Sequence, residues 1–227
     1  MPADRRVLVL AGRGRYEDPW HDHAATSAGV ARVLGDLEGT DVEVRSTFPD
    51  ALDDLDALDL LVVNSGRGRP DPAFDGDDVA WARLHRRLSA HVRGGGAVLA
   101  LHQAASTFPD SPTWADDLGG RWVPGESWHP PLGAMSARPV EGSHPLVDGL
   151  GAVEAVDERY CGLRVTGDVV VTLTVEDDEG GVHPAGWVHA AGGRRVVYDG
   201  LGHDVRALAS PGRRDLLRRE ARWLLEG

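Results

Sequence analysis

The pattern of apolar and polar positions divides the first half of the chain into alternating strands and helices. Four short apolar runs bounded by glycine or polar residues predict strands, at residues 7–10, 42–44, 55–63 and 97–101. Apolar residues recur at helical spacing over residues 22–34 and 77–92, which predicts two helices. This β-α-β-β-α-β order is typical of a three-layer α/β sandwich with a mostly parallel sheet, whose buried strands are rich in Val and Leu.

The second half of the chain has a different pattern. Residues 109–145 are rich in Pro, Gly and Trp and show weak periodicity, which predicts a lid or binding loop. Four further strands, partly antiparallel, are predicted at residues 153–160, 169–175, 186–189 and 195–198, before a last amphipathic helix at 213–225. Neither an internal repeat nor a linker interrupts the sequence, so residues 1–227 are predicted to form a single domain.

Composition and charge exclude several classes of function. The 227 residues carry a formal net charge of -12 and no long basic stripe, so nucleic-acid binding is not expected. The longest apolar runs are strand-sized, and residues 1–6 lead directly into the first of them, so neither a membrane span nor a secretory segment is expected. Cys161 is the single cysteine, which predicts a reducing compartment. Tryptophans and apolar strand edges leave a homo-oligomer open.

Two of the apolar runs each lead to a histidine inside a turn of small residues. His102 follows the strand at 97–101, and His203 follows the last strand after Gly200-Leu201-Gly202. Ligands bind outside the carboxyl ends of parallel strands, so these positions predict an active site in which both histidines act as general acid or base. The alternatives are a His102 that bonds a neighbouring loop, and a His203 at a turn where Asp204 caps the next helix.

Aromatic and acidic residues supply further candidates. Trp128 and His129 precede the rigid Pro130-Pro131 pair, and an indole beside a polar group suits a sugar ring; a tryptophan that anchors a loop is the alternative. Adjacent carboxylates at a strand end make Glu158 a candidate catalytic acid, with a surface ion pair as the alternative. The other candidate substrate contacts are Gln103, Asp157 and Tyr160.

A metal-assisted variant of this site is also predicted. His21 lies in a loop after the first strand, and because the first strand is usually central in such sheets, this loop should neighbour that of His102. A chance arrangement before a helix capped by Asp22 is the alternative. The candidate ligands of a divalent metal such as zinc are His21, His102, His129 and His203. No organic cofactor is expected, since Gly12-Arg13-Gly14 lacks the third glycine of the dinucleotide fingerprint.

The order of several short motifs along the chain resembles that of a known family. The motifs are residues 94–104, 118–120, 144–146, 157–160, 184–187 and 195–204. Together they are similar to the ThuA-like (trehalose utilization) family, a branch of the class I glutamine amidotransferase-like superfamily. The resemblance implies a flavodoxin-like fold, a site at the strand ends and a cytoplasmic protein of carbohydrate catabolism. His21 also falls where relatives tend to carry a histidine.

One position departs from the true glutamine amidotransferases. Those enzymes need a cysteine thiolate at the elbow after the strand, whereas this chain has His102 there and Cys161 in a different segment. Histidine cannot replace the thiolate in the acyl intermediate, so glutaminase activity is not expected. His203 occupies about the place where those enzymes keep their base.

These candidates combine into one leading hypothesis and two rivals. In the leading hypothesis, an enzyme of sugar isomerase, lyase or hydrolase type acts on a keto-sugar or glycoside, with His102, His203 and Glu158 moving or orienting protons. The first rival is a non-catalytic protein that binds a small sugar or regulates its use. The weaker rival is a hydrolase with Ser106 or Ser65 as nucleophile, for which no Gly-x-Ser-x-Gly elbow exists.

Overall fold

The computed structural model describes residues 5–227. The expectation that no secretory segment is present rests partly on residues 1–4, which lie outside the described residues. The helices are α1 (His23–Gly35), α2 (Pro72–Asp75), α3 (Asp78–Arg93), α4 (Trp114–Leu118) and α5 (Pro211–Glu226). The first six strands are β1 (Arg5–Ala11), β2 (Thr40–Ser46), β3 (Leu60–Asn64), β4 (Ala97–Leu101), β5 (Gly120–Arg121) and β6 (Gly133–Pro139). The other strands are β7 (Val153–Asp157), β8 (Arg164–Val165), β9 (Val170–Glu176), β10 (Val182–His189) and β11 (Arg195–Asp199). Across the described part, every helix is too short or too polar to cross a bilayer.

Nine strands form the main sheet in the order β2-β1-β3-β4-β11-β10-β9-β6-β7. The pairings from β2 to β11 are parallel and those from β11 to β7 are antiparallel. Because antiparallel neighbours alternate in direction, β9 and β7 point the same way as the parallel strands, and only β10 and β6 of this sheet run against them. The predicted α/β fold with a mostly parallel sheet and antiparallel strands in the second half is confirmed.

The helices cover both faces of the sheet, which makes three layers. Alternate residues of β1 face opposite sides: Val7 and Val9 pack with α1 and α5, whereas Leu8 and Leu10 pack with α3 and α4. All four side chains are almost completely buried. From Val7 to Ala11 the strand is therefore apolar at every position, because each face has its own core. Strand β7 at the sheet edge also packs on α5, so the antiparallel part curls back toward the parallel part.

One expectation about the layout needs correction. The predicted lid at residues 109–145 contains α4 and β5, and its β6 pairs with β7 and β9 in the main sheet. Strand β6 begins with glycine and ends with proline, so its local preference for a strand is weak and pairing with its neighbours decides. The loop after β1 does neighbour that of His102, as expected, although β3 lies between β1 and β4. The loop after β1 must therefore cross the end of β3 to reach His102.

Two valines in strands should differ in their contribution to stability, because only one of them is buried in the core. Val62 in β3 is completely buried, whereas Val182 in β10 is 67% exposed. We expect Val62→Ala to lower the free energy of unfolding by about 2 kcal/mol, since it removes buried methyl groups and leaves a cavity. Val182→Ala lowers the strand propensity by the same amount as Val62→Ala but removes little buried surface. Chemical denaturation measures both, and equal losses would contradict the assigned core.

Candidate active site

A cleft of about 790 Å³ opens at the carboxyl edge of the sheet. Strands β1, β4, β7 and β11 all point toward this edge, and the residues that follow them supply four polar side chains to it. These side chains are His21, His102, Glu158 and His203. Each offers one nitrogen or oxygen, and these four atoms lie within 4.8 Å of one another. The histidines that follow β1, β4 and β11 therefore meet, as the sequence predicts.

His102 occupies a strained turn directly after β4. Its φ of 43° lies in the left-handed region, which costs a residue with a side chain some free energy. The Tyr198 hydroxyl donates a hydrogen bond of 2.8 Å to the His102 carbonyl, and the ring of Tyr160 lies against the imidazole at 4.1 Å between centroids. The His102 Nδ1 atom is 2.7 Å from the Gly200 carbonyl oxygen. Because a carbonyl only accepts, Nδ1 carries a proton, and in the neutral ring Nε2 presents a lone pair to the cluster.

His21 is oriented by the carboxylate of Asp18. Its Nδ1 donates to Asp18 Oδ1 at 2.8 Å, and the amide of Gln103 donates to the other oxygen. Burial alone would raise the pKa of Asp18, but the hydrogen bonds from His21 and Gln103 outweigh it and hold the pKa well below its usual range. With an ionised Asp18 accepting from Nδ1, the Nε2 lone pair of His21 also points into the cluster. Burial lowers the pKa of His21, which favours this neutral form.

The two oriented imidazoles face each other with their lone pairs. The Nε2 atoms of His21 and His102 are 3.3 Å apart, yet neither carries a proton when both rings are neutral. Two acceptors at this distance repel unless a cation lies between them. Either a proton or a metal ion between the two nitrogens would relieve this repulsion.

Glu158 adds negative charge to the cluster. Its Oε2 is 3.1 Å from His203 Nδ1 and 3.6 Å from His102 Nε2. Burial alone would raise the pKa of Glu158, but the neighbouring imidazoles reverse this effect and the pKa lies well below its usual range. The same carboxylate raises the pKa of His203. Within residues 5–227, neither Glu158 Oε2 nor His203 Nδ1 has a well-directed hydrogen-bond partner, although both atoms are buried.

These features fit a divalent metal ion. Three imidazoles and one carboxylate are a donor set that suits zinc and other first-row transition metals. In two of the imidazoles, the N–H of the other ring nitrogen donates a hydrogen bond to a carboxylate or a carbonyl, which is the usual support for a metal-bound histidine. The unpaired buried oxygen of Glu158 and nitrogen of His203 are the atoms that a metal would engage. The cluster could therefore hold a metal, with Glu158 in the place where the sequence suggested His129.

The sequence profile of the family described as trehalose utilisation (ThuA) matches residues 6–224. The chain belongs to the ThuA family. This membership supports a role related to carbohydrate utilisation. No curated protein matches the chain.

Solved structures show the same fold in ThuA-like proteins and beyond. A ThuA-like protein from Parabacteroides merdae is 19% identical with a TM-score of 0.79, covering 98% of this chain and 90% of its own. A ThuA-like protein from Bacteroides uniformis is 16% identical with a TM-score of 0.76, covering 99% and 93%. A glutamine amidotransferase from Thermotoga maritima is 11% identical with a TM-score of 0.59, covering 98% and 99%.

The elbow of this ThuA-family chain holds an imidazole where a glutamine amidotransferase needs a thiolate. Cys161 is buried in another segment, where its backbone bridges to Trp128, and burial raises the pKa of its thiol to about 11. Such a thiol stays protonated at neutral pH and is a poor nucleophile. The absence of glutaminase activity remains a prediction.

Asp157 has a supporting position behind the cluster. Its carboxylate accepts the backbone N–H groups of Glu158, Gly202 and His203 at 2.7 to 2.9 Å. It is 1% exposed and lies outside the cleft lining, so the structure does not place it as the expected substrate contact. Asp157 instead fastens the loop of His203 to the end of β7. Asp204 in the same loop pairs with Arg206.

The structure separates Trp128 from His129. His129 lines the cleft, with Nδ1 at 3.5 Å from Glu158 Oε1, whereas Trp128 packs edge-on against His183 and lies outside the lining. Neighbouring residues of an extended segment point to opposite sides, which is why only one of the pair reaches the cleft. Gln103 and Tyr160 line the cleft as expected.

Sequence reasoning missed several residues of the cleft. Two tryptophans, Trp20 and Trp122, line it in place of Trp128, and Asp18 orients His21. Trp20 and Asp18 share the loop of His21, so proximity to a candidate ligand was the available signal. Trp122 lies in the stretch predicted to form a lid.

The two acids beside the His203 loop should differ in their effect on stability. Asp157→Ala leaves one buried and two partly buried N–H groups without an acceptor, so we expect the free energy of unfolding to fall by about 3 kcal/mol. Asp204→Ala removes an exposed ion pair and should cost less than about 1 kcal/mol. Chemical denaturation compares the two variants, and a larger loss for Asp204→Ala would rule out the supporting role of Asp157.

Proposed function

We propose that this ThuA-family chain is a metal-dependent enzyme that acts on a keto-sugar or glycoside. The observation that supports it most is the pair of Nε2 atoms, from His21 and His102, that lie 3.3 Å apart beside Glu158, whose pKa is held well below its usual range. His203 and Glu158 complete the donor set. When bound there, a divalent cation would polarise the carbonyl oxygen of a sugar at the open side of the cluster.

The chain's own residues would then position the sugar and move protons. His129 is the cleft-lining imidazole outside the cluster, next to Glu158 Oε1, so it is placed to take or give a proton next to the carbonyl. The indoles of Trp20 and Trp122 line the same cleft and offer apolar faces to the C–H groups of a ring. Abstraction of a proton next to a carbonyl leads to isomerisation or elimination without an organic cofactor.

Metal binding is the first test. We expect protein purified without chelators, or stripped and titrated by calorimetry, to bind about one equivalent of Zn²⁺ per chain. His21→Ala and His102→Ala should abolish this binding. Asp18→Asn should weaken it by about 10- to 100-fold, because Asp18 orients a ligand without being one.

His183→Ala is the matched control, since His183 pairs with Asp177 outside the cleft. It should leave zinc affinity unchanged. Protein that contains no metal as purified and gains none on titration with zinc, manganese or iron would refute a metal-dependent enzyme.

A metal-free variant of the chemistry has its own support. The Glu158 carboxylate raises the pKa of His203 and the two groups lie 3.1 Å apart, so His203 could serve as a general acid with His102 as its partner. A non-catalytic sugar-binding protein is the further alternative. Turnover separates both enzymes from the binding protein, and metal content separates the two enzymes.

Turnover can be measured without knowing the product. We expect incubation in D₂O with ketohexoses or ring-oxidised glycosides to place deuterium next to the carbonyl, detected by mass spectrometry and NMR. His102→Ala should slow this exchange by about 100-fold or more, the usual range for loss of an acid–base or metal-supported step. Sugar binding by calorimetry with neither exchange nor product would favour the binding protein. As its site of action we propose the cytoplasm, with a small sugar as partner.

A further inference from the structure

Two arginines line the cleft away from the histidine cluster. The side chains of Arg67 and Arg121 both contribute to its wall. Over residues 5–227, neither guanidinium has a carboxylate or carbonyl partner, whereas many other arginines of the chain have one, such as Arg45, Arg87 and Arg213. The chain contains no lysine and carries a net charge of -12, and both of these unpaired guanidinium groups line the same cleft.

The backbone that carries Arg67 is fixed on both sides. The N–H of Gly66 donates to the Tyr16 carbonyl and the N–H of Gly68 to the Arg15 carbonyl, each at 2.8 Å. Neither glycine has room for a Cβ: one at Gly66 would collide with the Gln103 side chain, and one at Gly68 with the backbone of residues 14 and 17. This tight packing holds the loop after β3 at the carboxyl edge of the sheet, beside the loop of His102. Arg67 is thus an exposed side chain on a rigid base.

Arg121 also projects from a fixed backbone. It lies in β5, in register with Arg164 of β8, and the N–H of the next residue, Trp122, donates to the Ala105 carbonyl at 2.8 Å. This last bond ties β5 to the turn that follows His102. The wall that bears Arg121 therefore has a set position relative to the cluster.

We infer that Arg67 and Arg121 form a subsite for an anionic group, a phosphate or a carboxylate, carried by the sugar substrate. The planar guanidinium donates paired hydrogen bonds that match the oxygens of both groups. The two carboxylates that line the same cleft, Asp18 and Glu158, already face histidines and do not neutralise the arginines. This inference rests on the proposed sugar chemistry and names its substrate class: a sugar phosphate or a sugar acid rather than a neutral sugar.

Calorimetry on metal-stripped protein tests the subsite apart from the cluster. The probes are glucose 6-phosphate, glucuronate and glucose. We expect the anionic sugars to bind about tenfold or more tightly than glucose, the effect of one charge-assisted contact. Arg67→Gln and Arg121→Gln should each reduce this preference. Arg69→Gln, which removes an exposed arginine outside the cleft two residues away, should not. If glucose 6-phosphate and glucuronate differ in affinity, the one that binds more tightly identifies the anionic group that the subsite prefers.

The outcomes separate this inference from the proposed function. Equal affinity for glucose and the anionic sugars, no detectable binding of any of them, or an equal loss in Arg69→Gln would overturn the subsite, whatever the protein does with zinc. A preference for anions that persists in His102→Ala supports the subsite independently of the cluster. Failure to bind metal alongside this preference would overturn the metal-dependent chemistry alone.

Discussion

The hydrogen bond from His102 Nδ1 to the Gly200 carbonyl decides which nitrogen of that ring faces the cluster, and the chemistry of the site depends on it. The bond joins the end of β4 to the end of β11, which are neighbouring parallel strands. Because Asp18 imposes the same tautomer on His21, two lone pairs converge. The cluster is therefore specified by groups behind the ligands as much as by the ligands themselves.

The Gly200 carbonyl is in turn held by a buried ionic network. Asp199, the last residue of β11, pairs with Arg213 of α5 at 2.9 Å, and both side chains are almost completely buried. Asp199 also accepts the N–H of Leu201, and Arg213 donates to the carbonyl of the same residue. Burial raises the pKa of nearby Glu220 well above its usual value. A neutral Glu220 leaves one carboxylate for one guanidinium, so the network balances its charge while it fixes the turn that leads to His203.

Much of this architecture follows from local patterns, and the exceptions have physical causes. The parallel core and the positions of His21, His102 and His203 depend on strands that contain an unbroken apolar run, which a sequence displays directly. Strand β6 forms because it pairs with β7 and β9, and strand pairing cannot be read directly from a sequence. The contribution of Glu158 to the cluster follows from the curl of the sheet, which brings the end of β7 next to β11. Trp128 lies outside the cleft lining because the direction of its side chain depends on the backbone bridge to Cys161.

The four cluster residues are spread from position 21 to position 203 and follow four different strands of one sheet. A fragment that lacks any of these four strands cannot assemble them, so the cluster exists only after long-range strand pairing is complete. An ion that binds all four would fasten β1, β4, β7 and β11 at one point and stabilise the native state alone. Thermal tolerance of this protein would then vary with the supply of that ion in its surroundings.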